Sequence, residues 1–167
     1  MKQASDKQSV IYTIGHGNRE IEALINLLNQ NSITVLIDVR SLPYSRFHPQ
    51  FRQSNLKHSL ESVGITYLWF GKELGGRPAD PSLYHNGKAN YRAIKETEIF
   101  KVGIQRVLQL VKENIKVTLI CSESNPNDCH RKHLIANELV AFGITVLHIN
   151  KVGVIEQHVN INYTLFS

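Results

Sequence analysis

Four times along the chain an amphipathic stretch is closed by Gly or Asn and followed by a short run of β-branched and aliphatic residues. The repeats end in "NQNSITVLIDV" (29–39), "ESVGITYLWF" (61–70), "KENIKVTLIC" (112–121) and "AFGITVLHI" (141–149). Gly and Asn tolerate the left-handed conformation that terminates a helix, so each repeat predicts helix, C-cap, strand. Phe100, Ile104, Val107, Leu108 and Val111 fall at helical spacing, as do Ile21, Leu24, Ile25 and Leu28, and a third helix sets Ile135, Leu139 and Phe142 on one side. With a first strand at 10–14, the order becomes β-α-β-α-β, a long loop, then α-β-α-β. Apolar strands alternating with helices predict an α/β fold: a mostly parallel sheet of about five strands, covered on both faces and joined by right-handed crossovers.

No linker or shift of composition divides the 167 residues, which predicts one domain over 1–167. Residues 1–9 form a short polar tail. Residues 71–89, with Gly75, Gly76, Pro78, Pro81 and Gly87, read as a long loop over the cleft, and insertions of that length are commonly functional. Residues 151–167 read as a short helix or strand on the sheet edge.

Charge and cysteine usage narrow the setting. Cys121 and Cys129 are too few and too close for a disulfide framework, so free thiols and a cytoplasmic, reducing compartment are expected. Without an apolar signal core or a bilayer-length stretch, neither export nor membrane contact is expected, and the sequon at Asn162 goes unused. A net charge of +5 and a pI near 9.3 favour an acidic partner, a phosphate-bearing small molecule or nucleic acid. The "GHGN" turn has no third glycine at the dinucleotide position and no Walker loop is present, so no cofactor is predicted.

Ligands of parallel sheets bind outside the carboxyl ends of the strands. The segments that leave those ends are "GHGNR" (15–19), "DVRSLPYSRFHPQF" (38–51), "GKELGGRP" (71–78) and "CSESNPNDCHRKH" (121–133). Asn18 suits the N-cap of the first helix and Asp128 that of a later one. Behind Asp128, Cys129, His130 and Arg131 would occupy a first helical turn, whose free N–H groups and dipole favour an anion and lower a thiol's pKa. Cys129 is therefore a candidate nucleophile with His130 or His16 as base, against the alternative of a small buried residue. Cys121, at the end of an apolar strand, reads as core. "LIDVRS" (36–41) resembles a rhodanese strand, yet the arginine of a phosphatase or rhodanese loop is missing: its place after Cys121 is taken by Asn127, and Arg131 follows Cys129 too closely. Cys121, Cys129, His130 and His133 lack the paired close spacing of zinc modules, so no metal is assigned.

Period-two alternation puts Asp38 and Arg40 on one side of the second strand. Asp38 either anchors Arg40 or orients His16 or an arginine against a ligand. Arg40, Ser45, Arg46 and Arg77 complete the anion-contact candidates, since the guanidinium fork matches phosphate oxygens. Among the interleaved aromatics, Tyr67 and Trp69 read as packing, and Tyr44 and Phe47 as platforms for a base.

"YTIGHGNR" (12–19), "LIDVRSLPYSRFHPQF" (36–51), "LGGRP" (74–78) and "CSESNPNDCHRKHLIA" (121–136) resemble the four blocks of the family catalogued as domain of unknown function 488, from about Ile11 to His158. That resemblance implies a Rossmann-like three-layer α/β/α domain whose blocks face one cleft. Its recurrent polar residues fall on His16, Asn18, Arg19, Asp38, Arg40, Pro43, Ser45, Arg77, Glu123, Cys129, His130 and Arg131. Many members carry serine where this chain has Gly17. The family transfers no settled activity. Three functions follow: a small hydrolase or transferase acting on a phosphate-bearing ligand, a binding module without turnover, or a partner-binding protein.

Overall fold

The computed structural model describes residues 8–160; the start of the predicted N-terminal tail, the last seven residues of the C-terminal segment and the sequon at Asn162 lie outside them. The elements run β1 (Val10–Gly15), α1 (Ile21–Gln30), β2 (Val35–Asp38), α2 (Gln53–Glu61), β3 (Thr66–Trp69), α3 (Gly71–Leu74), the hairpin β4 (Tyr84–His85) and β5 (Lys88–Ala89), α4 (Tyr91–Glu96), α5 (Glu98–Lys112), β6 (Val117–Cys121), α6 (Asn137–Ala141), β7 (Thr145–Ile149) and β8 (Ile155–Gln157). A π-helical turn over Arg131–Ala136 leads into α6.

The closures between helix and strand follow the sequence pattern. Gly64 (φ +81°), Asn114 (φ +60°) and Gly143 (φ +81°) sit in the left-handed region ahead of β3, β6 and β7; ahead of β2 Ser32 (φ +56°) does so, one residue after Asn31. Thr97 caps α5 by accepting from the Phe100 N–H at 3.3 Å, and the predicted stripe from Phe100 to Val111 is buried.

The main sheet has six strands in the order β3-β2-β6-β1-β7-β8. Strands β3, β2, β6, β1 and β7 are mutually parallel, and β8 adds an antiparallel edge, so the C-terminal segment is a strand where it is described. Helices α1 and α2 pack with Leu36, Ile14, Ile120 and Ile149 on one face. Helices α3 to α6 pack with Ile11, Ile37, Leu119 and Val146 on the other, which gives the three-layer, Rossmann-like arrangement. Among the described residues no helix is long and apolar enough to cross a membrane.

Local expectations change where chain chemistry competes. The 71–89 segment is not structureless: it holds α3, a 3₁₀ turn at Pro81–Leu83 and the β4–β5 hairpin. Asn18 does not cap α1, which starts at Ile21 behind Glu20. Asp128 caps no helix: it ends a 3₁₀ turn closed by the Asn125 side chain, Cys129 is extended, and its carbonyl accepts the first helical bonds from Lys132 and His133. Trp69 is 40% exposed because β3 is an edge strand, and Phe142 is exposed at the C-cap of α6.

The sheet brings the carboxyl ends of β2, β6 and β1 side by side. Gly15 makes this possible, because a Cβ there would stand 1.7 Å from the Glu123 carbonyl oxygen of the loop after β6. Gly15→Ala should therefore destabilise the protein by about 1–3 kcal/mol or more in urea unfolding. An unchanged midpoint would show that the β6 loop does not pack this closely on β1.

Candidate functional site

Alternation along β2 carries Asp38 onto the face of Leu36 and buries it completely. Its carboxylate accepts from the Arg40 backbone N–H at 3.1 Å, Arg40 Nε at 2.9 Å, Arg40 Nη2 at 2.6 Å and the Tyr67 hydroxyl at 2.7 Å. Asp38 thus orients an arginine rather than His16. Burial works against the Arg40 charge, but the hydrogen bonds and charge of Asp38 outweigh it and raise the guanidinium pKa. Burial, followed by the nearby Asp38 charge, pushes the Tyr67 phenol up, so it stays a donor. Arg40 Nη1 is buried without a hydrogen-bond partner among the described residues.

His16 leaves the end of β1 buried, stacked on Phe51 with ring centroids 4.4 Å apart and edge-on to His48 at 6.4 Å. Burial, reinforced by the Arg40 charge, lowers its pKa to about 4 against the pull of the Gly17 carbonyl. Neutral at pH 7, it donates Nδ1–H to that carbonyl at 2.8 Å, which leaves the lone pair on Nε2. That atom too is buried without a partner among the described residues.

On the opposite face of the sheet edge stand Cys121 at the end of β6, Cys129 and His130. His130 Nε2 lies 3.0 Å from the Val39 carbonyl oxygen, which fixes the proton on Nε2 and turns the Nδ1 lone pair toward the sulfurs, 3.7 Å from Cys121 Sγ and 3.8 Å from Cys129 Sγ. Cys129 Sγ also accepts from the Arg131 backbone N–H at 3.4 Å. The two sulfurs lie within 4.8 Å of each other. The bond from Cys129 carries Cys121 well below the ordinary thiol range, and the same bond, with burial, pushes Cys129 up. Cys121, which the sequence assigns to the core, is buried there with Cys129 beside it.

Arg131 is fully buried and bonded to the protein's own oxygens: Nε donates to Thr13 Oγ1 at 3.2 Å, Nη1 to the Glu123 carbonyl and Nη2 to the Ser124 carbonyl at 3.3 Å. Arg19 likewise donates to the carbonyls of Gly15 and Asn150. Both pin loops. Glu123 contributes its carbonyl to Arg131 and leaves its carboxylate exposed. Asn18, Arg46 and Arg77 are exposed, Arg77 engaging Ser41 through its backbone N–H and Arg46 lying over Phe47. Ser45 Oγ accepts from the His48 N–H. A Cβ on Gly17 would lie 1.9 Å from Ser124 Oγ, so the Ser124 hydroxyl fills the space of a side chain at 17.

The family model described as "Domain of unknown function DUF488" matches residues 20–137. The chain belongs to the DUF488 family. The match takes in three of the four blocks and leaves "YTIGHGNR", which carries His16, outside the matched span. No curated protein and no solved structure shows significant similarity to this DUF488 chain.

Sequence reading missed a buried polar thread through this DUF488 core. Arg131 donates to Thr13, the Thr13 hydroxyl to His148 Nδ1 at 2.6 Å, His148 Nε2–H to His158 Nδ1 at 3.0 Å, and His158 Nε2–H to Asn137 Oδ1 at 2.8 Å. The only signal was a histidine inside the apolar run "TVLHI". Burial, first of all, lowers His148 to about 3 and His158 to about 4, so both are neutral. In the unfolded chain histidine titrates near 6.5, so between there and about 4 the unfolded state binds more protons. Stability should be complete above pH 6.5 and fall as pH drops through that window, by up to roughly 1.4 kcal/mol per pH unit for each of His16, His148 and His158. Urea midpoints from pH 7 to 5 test this: His158→Asn should flatten the slope, and a wild-type midpoint constant over that range contradicts neutral burial.

Proposed function

We propose that the carboxyl edge of β1, β2 and β6 binds the phosphate group of a nucleotide or nucleic-acid strand, and that the protein acts on it as a small hydrolase or transferase. The observation that carries this reading is a pair of buried polar atoms without partners among the described residues, Arg40 Nη1 and His16 Nε2, on the segments that leave β2 and β1, close enough for the Arg40 charge to act on His16. A buried donor without a partner costs about 1–3 kcal/mol, more for a charged group, and a phosphate oxygen relieves that cost at Arg40. His16, neutral and with its tautomer held by Gly17, leaves the Nε2 lone pair as the group that would accept a proton from water or a hydroxyl of the ligand. Cys129 is buried against Cys121 and His130, on the other face of the sheet edge from Arg40, so chemistry on the ligand is assigned to His16.

The loop from Ser41 to Arg52 supports a nucleotide rather than a bare anion. It presents Phe47 at 80% and Tyr44 at 55% exposure beside Arg46 and Arg52, an arrangement of rings and cations on which bases stack. Arg19 and Arg131 are taken up by protein carbonyls, which lowers the number of cations free to stabilise a transition state and favours binding without turnover as the second reading.

Phe47→Ala and Arg46→Ala change exposed side chains and should leave the fold intact. In fluorescence titrations with a short single-stranded oligonucleotide, Phe47→Ala should weaken binding by about 1–3 kcal/mol, and Arg46→Ala should reduce the slope of log K against log salt by about one. Wild-type affinity and salt slope in both variants would reject the reading. Phosphate release that stops in His16→Gln while binding persists selects the enzyme over the binding module.

A further inference from the structure

We infer that Cys121, Cys129 and His130 form a binding site for a borderline-soft divalent cation of the zinc type, through two sulfurs and the imidazole Nδ1. These donor atoms all lie within 4.8 Å of one another. Around a tetrahedral zinc, with sulfur near 2.3 Å and nitrogen near 2.0 Å from the ion, a sulfur and a nitrogen stand about 3.5 Å apart. Nδ1 of His130 is 3.7 Å from one sulfur and 3.8 Å from the other. Both nitrogen–sulfur separations therefore match a zinc site to within a few tenths of an ångström.

The surroundings are those of a metal ligand set. A ligating histidine donates its other N–H to a carbonyl or carboxylate, which fixes the ring and its tautomer; His130 Nε2 does this to Val39 at 3.0 Å. A backbone N–H, that of Arg131, is directed at Cys129 Sγ, as donors commonly are at metal-bound thiolates. The ring is also held from outside: a Cβ on Gly76 would meet His130 Cγ at 2.8 Å, so the 71–89 segment packs directly on it. The loop between the cysteines is rigidly shaped, with Asn125 accepting from the Asn127 N–H and Arg131 drawing in the carbonyls of Glu123 and Ser124.

Thiolates and imidazole select zinc over magnesium or calcium. Sequence spacing hides the site because its ligands arrive from the end of β6 and from a turn eight residues later, without a close pair of cysteines. His133, which spacing alone would include, is bonded instead to the Asn127 carbonyl at 2.6 Å. Three protein ligands leave a fourth position open, the pattern of catalytic rather than closed structural zinc. The inference stands on this geometry and does not depend on which phosphate-bearing ligand the neighbouring loops take.

The test is titration of the reduced, chelator-stripped full chain with Co²⁺. We expect one cobalt per chain, with thiolate-to-cobalt charge transfer in the near ultraviolet and intense visible bands of a tetrahedral centre, all displaced by Zn²⁺. Zinc should also slow the reaction of both thiols with a disulfide reagent. Cys129→Ser and His130→Gln should each lower affinity more than tenfold and weaken these bands, while His133→Gln leaves them unchanged. If a variant does not fold by circular dichroism, the wild-type spectrum and the thiol protection decide alone. A folded, reduced chain with no charge-transfer band, or bands that persist unaltered in folded His130→Gln, overturns the site. Oligonucleotide titration of the stripped protein keeps this outcome separate from the phosphate-binding reading.

Discussion

A buried arginine held by a single carboxylate at the end of a central strand is the constraint on which the site depends. Asp38 is fully enclosed and Arg40 nearly so, and removing one partner of such a pair typically destabilises a protein by about 3–5 kcal/mol. Asp38 meets Nε and Nη2 of the fork, the Arg40 N–H and the Tyr67 hydroxyl. Nη1 has no place in that set. That spare donor is the feature on which the proposed phosphate site rests.

The second cation, Arg131, works differently. It ties the loop after β6 to the middle of β1 through Thr13 and continues as a one-directional thread of hydrogen bonds through His148 and His158 to Asn137. Every donor in the thread finds an acceptor, which is what makes a polar network tolerable inside a core. The same arginine sets the position of Cys129 and His130 relative to Cys121. The π-helical turn that begins at Arg131 belongs to a class of helix irregularity frequent at functional sites, and here it lets a buried cation and the thiol cluster share one turn.

Much of this was legible in the residues. Strand polarity and the helix closures followed from Gly64, Asn114 and Gly143, and the placement of Asp38 with Arg40 followed from period two. What sequence left unread depends on which way a side chain turns. Arg131 beside a helix start looks the same whether it faces a ligand or its own loop, and burial decided for the loop. Tyr67 reads as packing until its hydroxyl meets Asp38, and Cys121 reads as core until the turn after it folds Cys129 and His130 back onto it. The edge strand β8 has three exposed residues and no periodic signal.

A crystal structure of the protein grown in inorganic phosphate tests the account at its centre. A phosphate oxygen should lie within hydrogen-bond distance of Arg40 Nη1. Phosphate bound only to exposed side chains such as Arg46 and Arg77, with Arg40 Nη1 bonded to a protein oxygen, would contradict it.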